Sequence, residues 1–352
     1  MDDPIQSVKR RALVLVLLAS LLAGLASSAA CAPRVTDTAP TAADTAPRVA
    51  KATPPAADTA SRVTSVPMTF AVIGDYGVDD ANELAVANLV ASWDPAFVIT
   101  TGDGYLEPAG GSGTARYDES TGAYYGGWLK DITTTGARCP IGKAAVNAFF
   151  PSLGNHDYSD ATPAPDTYLT YFTLPGAGFR NSSGNERYYD FVEGAIHFFV
   201  LNSNPEEPDG TSSTSAQGRW LRARLAASTS TWNVVYDHHP PYSSDSEHGS
   251  TDYMQWPFHA WGADVVISGH AHEYERIVHD GMAYLVNGLG GAARRGFATP
   301  VAGSVARYSG NWGAQKVTVT DTTLVFEFYD VSGALVDRYA LSTAPSAPPA
   351  VP

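Results

Sequence analysis

Cysteine is nearly missing from this chain: its 352 residues hold two, Cys31 and Cys139. If the first is processed, the second has no intrachain partner, so a disulfide framework is excluded. Basic residues are also scarce, with 22 Lys and Arg against 36 Asp and Glu, a formal net charge of -14 and a pI near 4.9. Phosphate backbones and anionic lipid surfaces are held by clustered Lys and Arg, so nucleic acid is excluded as a partner. Any phosphate this protein meets must be held by metal. Residues 32–66 lack aromatics altogether and consist almost wholly of Ala, Thr, Pro, Asp, Val and Arg.

Ahead of that segment, Lys9-Arg10-Arg11, an apolar stretch from Ala12 to Ala26 and small residues up to Ala29-Ala30-Cys31 lay out a secretory signal. The expectation is an exported protein, extracellular or held at the cell surface. Cys31 after Ala29-Ala30 resembles a lipoprotein cleavage site, although Ser28 stands where such sites carry Leu. Ordinary cleavage nearby and an uncleaved anchor remain the alternatives, and a lipid at Cys31 is the one membrane attachment expected. Residues 32–66, with Pro33-Arg34-Val35, Pro47-Arg48-Val49 and Ser61-Arg62-Val63 recurring every fourteen residues, cannot bury enough apolar area to fold. They read as a tether spanning on the order of 100 Å when extended.

From Met68 onward strand-like runs alternate with helical ones. Asp79 or Asp80 is placed to cap a helix through Val90, and a second helix is expected near Ala216 to Ala227. Such alternation predicts a layered α/β core. After Arg276 the pattern turns to paired strands, Lys316 to Thr320, Leu324 to Tyr329 and Val336 to Leu341, predicting a second, more antiparallel sheet over one side. The Gly-rich stretch from Gly110 to Gly127 reads as a long surface loop. One domain over 67–342 follows, with a signal at 1–31, a linker at 32–66 and a flexible tail at 343–352.

Five short motifs rich in Asp, Asn and His run through that domain in fixed order. They are Gly74-Asp75-Tyr76-Gly77, Gly102-Asp103-Gly104-Tyr105, Gly154-Asn155-His156-Asp157, His238-His239-Pro240 and Gly269-His270-Ala271-His272. Each follows an apolar or β-branched run, so each should leave the C-terminal tip of a buried strand, where α/β sheets place their sites. A dinuclear site needs one carboxylate able to bridge two cations, flanked by O and N ligands that leave positions open. The five motifs supply such a set.

In composition and order the motifs resemble the calcineurin-like metallophosphoesterases. The missing His two residues after Asp75, where Gly77 stands, points within them to the purple acid phosphatases. His238-His239-Pro240-Pro241-Tyr242 and Gly269-His270-Ala271-His272-Glu273-Tyr274-Glu275-Arg276 extend the likeness, which covers roughly Met68 to Leu341. The resemblance implies an α/β fold built as a layered sandwich of two mixed β-sheets flanked by helices. It assigns Asp75, Asp103 and His272 to a first metal, with Asp103 bridging, and Asn155, His238 and His270 to a second. It also offers Tyr105 as a ligand, but only Gly104 separates it from Asp103, one residue fewer than in the family pattern. If Gly104 re-aims the phenol, the resemblance implies two metal ions, iron with zinc, manganese or a second iron; otherwise zinc or manganese serves. The implied reaction is hydrolysis of a small-molecule phosphate monoester by in-line attack of a metal-held hydroxide. Phosphodiester hydrolysis at the same metals, and a non-catalytic metal-binding surface lipoprotein, are the rivals.

His156 and His248 are the expected substrate-binding and proton-donating residues. His156 follows a ligand, and His248 lies in the loop after the fourth motif, where purple acid phosphatases carry a substrate-binding His. An isolated His is more often a surface or satisfied core residue. His197 reads as a strand residue and His259 and His279 as solvent-facing. His-x-Pro selects His238 as the ligand and gives His239 a supporting role. Asp157 is expected to orient a neighbouring His or cap a helix, and Tyr76, Tyr124 and Tyr125 to pack or wall the pocket.

Overall fold

The computed structural model describes residues 44–45, 67–106, 113–130, 132–133, 144–158 and 165–343. The expected signal, Cys31, Cys139, nearly all of the linker and the tail beyond 343 lie outside the described residues.

Among the described residues, fourteen strands form two seven-stranded sheets. The first runs β1 (Asp44–Thr45), β14 (Leu335–Ser342), β13 (Thr323–Asp330), β12 (Gly313–Val319), β2 (Met68–Ile73), β3 (Val98–Thr100), β4 (Phe149–Pro151). The second runs β11 (Ser304–Tyr308), β9 (Tyr274–His279), β10 (Met282–Asn287), β8 (Val265–Ser268), β7 (Trp232–Tyr236), β6 (Ile196–Val200), β5 (Tyr189–Glu193). Both sheets are mixed. β2, β3 and β4 pair in parallel, as do β6, β7 and β8, while β12 and β5 add antiparallel neighbours. The C-terminal strands do not build the separate antiparallel sheet expected from their pattern. β12 zips onto β2 from Gln315 opposite Val72 to Val319 opposite Met68, so the late strands extend the first sheet.

Strand chemistry explains the stacking. β3, β6, β7 and β8 carry runs of Phe, Val and Ile that are buried along their length, and β2 is buried from Phe70 onward, as strands covered on both faces require. Between the sheets Phe70 stacks on Phe97 at 4.9 Å, and both meet Phe198 of the other sheet edge-on at 5.4 and 5.6 Å. Phe150 lies flat on Phe191 at 4.0 Å. Such pairs contribute about 0.5–1.5 kcal/mol each beyond area burial, and they fix the two sheets against each other. The helix Ala81–Ser92 starts at Asp80, whose side chain accepts from the main-chain N–H of Asn82 and Glu83. The helix Ala216–Ala227 is capped by Ser215.

The stretch expected as a surface loop between Gly110 and Gly127 is, where described, a run of helical turns over 115–125. Tyr117 and Tyr125 anchor it in the core, and Ser120 and Thr121 donate to the carbonyl of Gly104. Glycine content suggested a surface loop, but the tyrosines between the glycines bury enough area to dock the segment. It therefore braces the second motif from behind.

Candidate metal centre

The parallel strands of both sheets point their C-terminal ends to one place. β2, β3 and β4 deliver Asp75, Asp103 and Asn155, and β7 and β8 deliver His238, His270 and His272. One sheet thus supplies the carboxylates and amide, the other the imidazoles. The turns that do this are strained: Asp75, Asp103 and His270 sit at φ 56, 54 and 65°. Such left-handed backbone costs energy in a side-chain-bearing residue and persists where surroundings impose it. Neighbouring glycines make room. At Gly154 a Cβ would collide with the Asp103 carboxylate, so only glycine lets the third motif close on the second.

Among the described residues, two groups of side chains bring potential ligand atoms within 4.8 Å of one another: Asp75, Asp103 and His272, and His238, His239 and His270. Asp103 reaches toward both, since its Oδ2 lies 3.4 Å from His238 Nε2. Asn155 Oδ1 is 2.9 Å from the same nitrogen. His272 Nε2 stands 3.4 Å from Asp75 Oδ1. The nitrogens used are those left free by second partners: His238 Nδ1 meets the Thr101 carbonyl and His272 Nδ1 the Ala293 carbonyl, both at 2.7 Å. A carbonyl only accepts, so Nδ1 holds the proton and Nε2 presents a lone pair, the arrangement found at metal-ligating imidazoles.

Burial and close like groups dominate the electrostatics of the centre. Burial, with Asp75 beside it, pushes the Asp103 carboxyl well above its ordinary range. Burial and neighbouring imidazoles push His238 well below its range, and burial with His239 lowers His270 likewise. His270 Nδ1 stands 3.2 Å from His238 Nε2. Burial would lower His272 too, but Asp75 outweighs it and raises the group. Buried carboxylates and lone-pair nitrogens facing one another are the donor set that cations such as Zn, Fe or Mn satisfy. The residues fit a metal pair.

Other expected residues fall nearby. The main-chain N–H of His156 donates to Asp103 Oδ1 at 2.9 Å, and its side chain is half-buried. The His248 ring lies flat on His270 with centroids 4.1 Å apart. Tyr105 is buried, with the Arg116 guanidinium 4.0 Å over its ring. Asp157 ties backbone to backbone. It accepts from the N–H of Gly154 and Asp103 and from the Tyr117 hydroxyl, tying the second and third motifs together. Burial still leaves its carboxyl raised to about 6. His197 is a buried strand residue and His259 is exposed, whereas His279 is half-buried and stacked on Tyr242.

Two residues escaped the sequence reading. Arg295 donates to the His270 carbonyl and pairs with Glu247 at 3.1 Å, clamping the loop that carries His248. Ser203 receives the main-chain N–H of His238 and His239. Ser203 had a signal: Phe198-Phe199-Val200-Leu201 followed by Asn202-Ser203-Asn204 is a sixth strand tip of the same kind. Arg295 had no such signal, since nothing in the sequence around Arg294-Arg295 marks it.

Comparison with known proteins agrees with this geometry. Purple acid phosphatase 23 of Arabidopsis thaliana is 23% identical over 235 residues, covering 60% of this chain and 48% of that protein. The chain thus spans less than half the length of this curated relative. Among solved structures, the purple acid phosphatase PPD1 from yellow lupin superposes with a TM-score of 0.60 at 16% identity, over 82% of this chain and 58% of that one. GAP50, titled as the anchor in the inner membrane complex of Plasmodium, superposes with a TM-score of 0.56 at 18% identity, over 78% of this chain and 89% of that one. A model of the calcineurin-like phosphoesterases matches residues 68–274, more than half of the chain. A family whose members imply a two-metal centre accounts for the converging tips and their donors, and this chain belongs to it: it is a calcineurin-like phosphoesterase.

Proposed function

We propose that the chain is an exported hydrolase of phosphate monoesters, acting at a metal pair held by Asp75, Asp103 and His272 on one side and Asn155, His238 and His270 on the other. The observation that carries this reading is the position of Asp103, one carboxylate reaching both donor groups. Cations bound there would generate a hydroxide from water near neutral pH and neutralise charge on the phosphoryl oxygens. The protein itself then has three tasks. The Thr101 and Ala293 carbonyls fix the tautomers of His238 and His272. Asp157 and the His156 N–H hold the Asp103 turn. His248, stacked on His270 and held by its loop, donates a proton to the leaving oxygen, with His156 beside the phosphoryl group. Tyr105 completes the first site only where the phenol reaches a ferric ion, which a purple or pink absorption band reports and a colourless active enzyme contradicts.

The rival reading is a metal-binding surface lipoprotein without turnover. Asp103→Ala and His270→Ala decide between them. Each should abolish hydrolysis of para-nitrophenyl phosphate in a protein that still folds; residual activity above a few per cent would contradict the proposal. Assay of bis(para-nitrophenyl) phosphate beside the monoester separates the two ester classes, and a preference for the diester would overturn the monoester reading. Retention of the full chain in a membrane fraction, and its release by Cys31→Ser, tests the lipid anchor.

A further inference from the structure

We infer that His239 is a fixed hydrogen-bond donor to the bound phosphoryl group and not a third imidazole ligand, because Ser203 forces its proton onto Nε2. The inference rests on the two-metal reading above. By distance alone His239 qualifies as a ligand: a ring nitrogen lies within 4.8 Å of those of His238 and His270. Its ring centroid is 4.4 Å from that of His270, and the residue is 8% exposed. Donor and acceptor counting gives the opposite answer.

His238 and His272 each offer Nδ1 to a backbone carbonyl, which leaves Nε2 bare. His239 offers Nδ1 to the Ser203 hydroxyl instead, at 2.9 Å. That oxygen already receives two main-chain N–H groups, from His238 at 3.3 Å and from His239 at 2.9 Å. A hydroxyl has two lone pairs and one proton. With both lone pairs engaged, the proton is donated to His239 Nδ1, and a neutral imidazole must then carry its own proton on Nε2. An N–H cannot ligate a cation, but it can bond an anionic oxygen, and such charge-assisted bonds are the stronger kind. The His239 ring packs against those of His238 and His270, with centroids 4.9 and 4.4 Å apart, and its N–H is thereby assigned to an oxygen of the phosphoryl group bound there.

Long-range proton–nitrogen NMR on the metal-loaded enzyme with nitrogen-labelled histidine reads each tautomer directly. His239 should carry its proton on Nε2, and His238 and His272 theirs on Nδ1. Calorimetry with inorganic phosphate is the second readout. His239→Phe should weaken phosphate binding about tenfold or more while two metals per chain remain. Ser203→Ala, which keeps the imidazole, should weaken phosphate binding in the same direction and release the proton from Nε2. A metal-coordinated Nε2 at His239, loss of one metal in His239→Phe, or phosphate affinity within twofold of wild type in both variants would overturn the assignment. A wild-type enzyme binding neither a metal pair nor phosphate would sink the two-metal reading first, and this assignment with it.

Discussion

Asp190 and Asp103 are both buried aspartates facing imidazoles, yet their surroundings treat the carboxylate in opposite ways. Asp190 accepts from the Ser182 N–H and hydroxyl, from His197 Nε2 at 2.8 Å and from Arg224 at 3.2 Å. His197 in turn meets Ser228, which donates to Asn233. Burial would raise the Asp190 carboxyl, but these partners, His197 foremost, hold it at about 2. Asp103 is as deeply buried and faces His238 at 3.4 Å, beyond a good hydrogen bond, with Asp75 nearby. One cluster is complete within the protein; the other needs positive charge from outside. A Ser-His-Asp array alone therefore does not mark a site, whereas buried donors left facing one another do.

Metal removal gives the largest separation between the clusters. Exhaustive chelation should abolish turnover and lower the melting temperature, because cations that bind only the folded state stabilise it by about 2.7 kcal/mol at a hundredfold excess over Kd. In Asp103→Ala the melting temperature should no longer respond to chelator, and in Asp190→Ala it should respond as in wild type. A chelator-insensitive wild type would erase the distinction.

His248→Ala comes next. Loss of a general acid costs about a hundredfold or more, so alkyl phosphates should suffer far more than para-nitrophenyl phosphate, whose leaving group needs no proton. Equal losses on both would remove the proton-donating role.

The smallest effect belongs to the finished cluster. Asp190→Asn should leave kcat unchanged and cost about 1.5–3 kcal/mol of stability at pH 7, as expected for hydrogen bonds to a charged group. The sign with pH follows from the lowered carboxyl. Its contribution is full above the unfolded value near 4 and is lost as pH falls through about 2, so variant and wild type should converge in acid. Denaturation at pH 7, 4 and 2 checks this, and a gap that persists at pH 2 contradicts it.

The sequence made the strand tips legible because each joins an apolar run to a Gly-Asp, Gly-Asn or His-rich turn, and those turns carry the chemistry at fixed spacing. Asp75, Asp103, Asn155, His238, His270 and His272 do converge for that reason. Other parts were not legible because their partners are backbone atoms or distant in sequence. The carbonyls of Thr101 and Ala293 select tautomers that no residue name reveals. Asp157 tied the loops through amides rather than through an imidazole. Tyr117 and Tyr125 turned a glycine-rich stretch into a docked brace. The late strands paired with β2, at the other end of the domain, which a local pattern cannot show.

Crystals grown with metal and measured by anomalous diffraction at the iron, zinc and manganese edges test the central claim most directly. The account predicts two cation peaks about 3.5–4 Å apart, both touching the Asp103 carboxylate, one flanked by Asp75 and His272 and the other by Asn155, His238 and His270. A single peak, or cations that leave Asp103 uncoordinated, would contradict it.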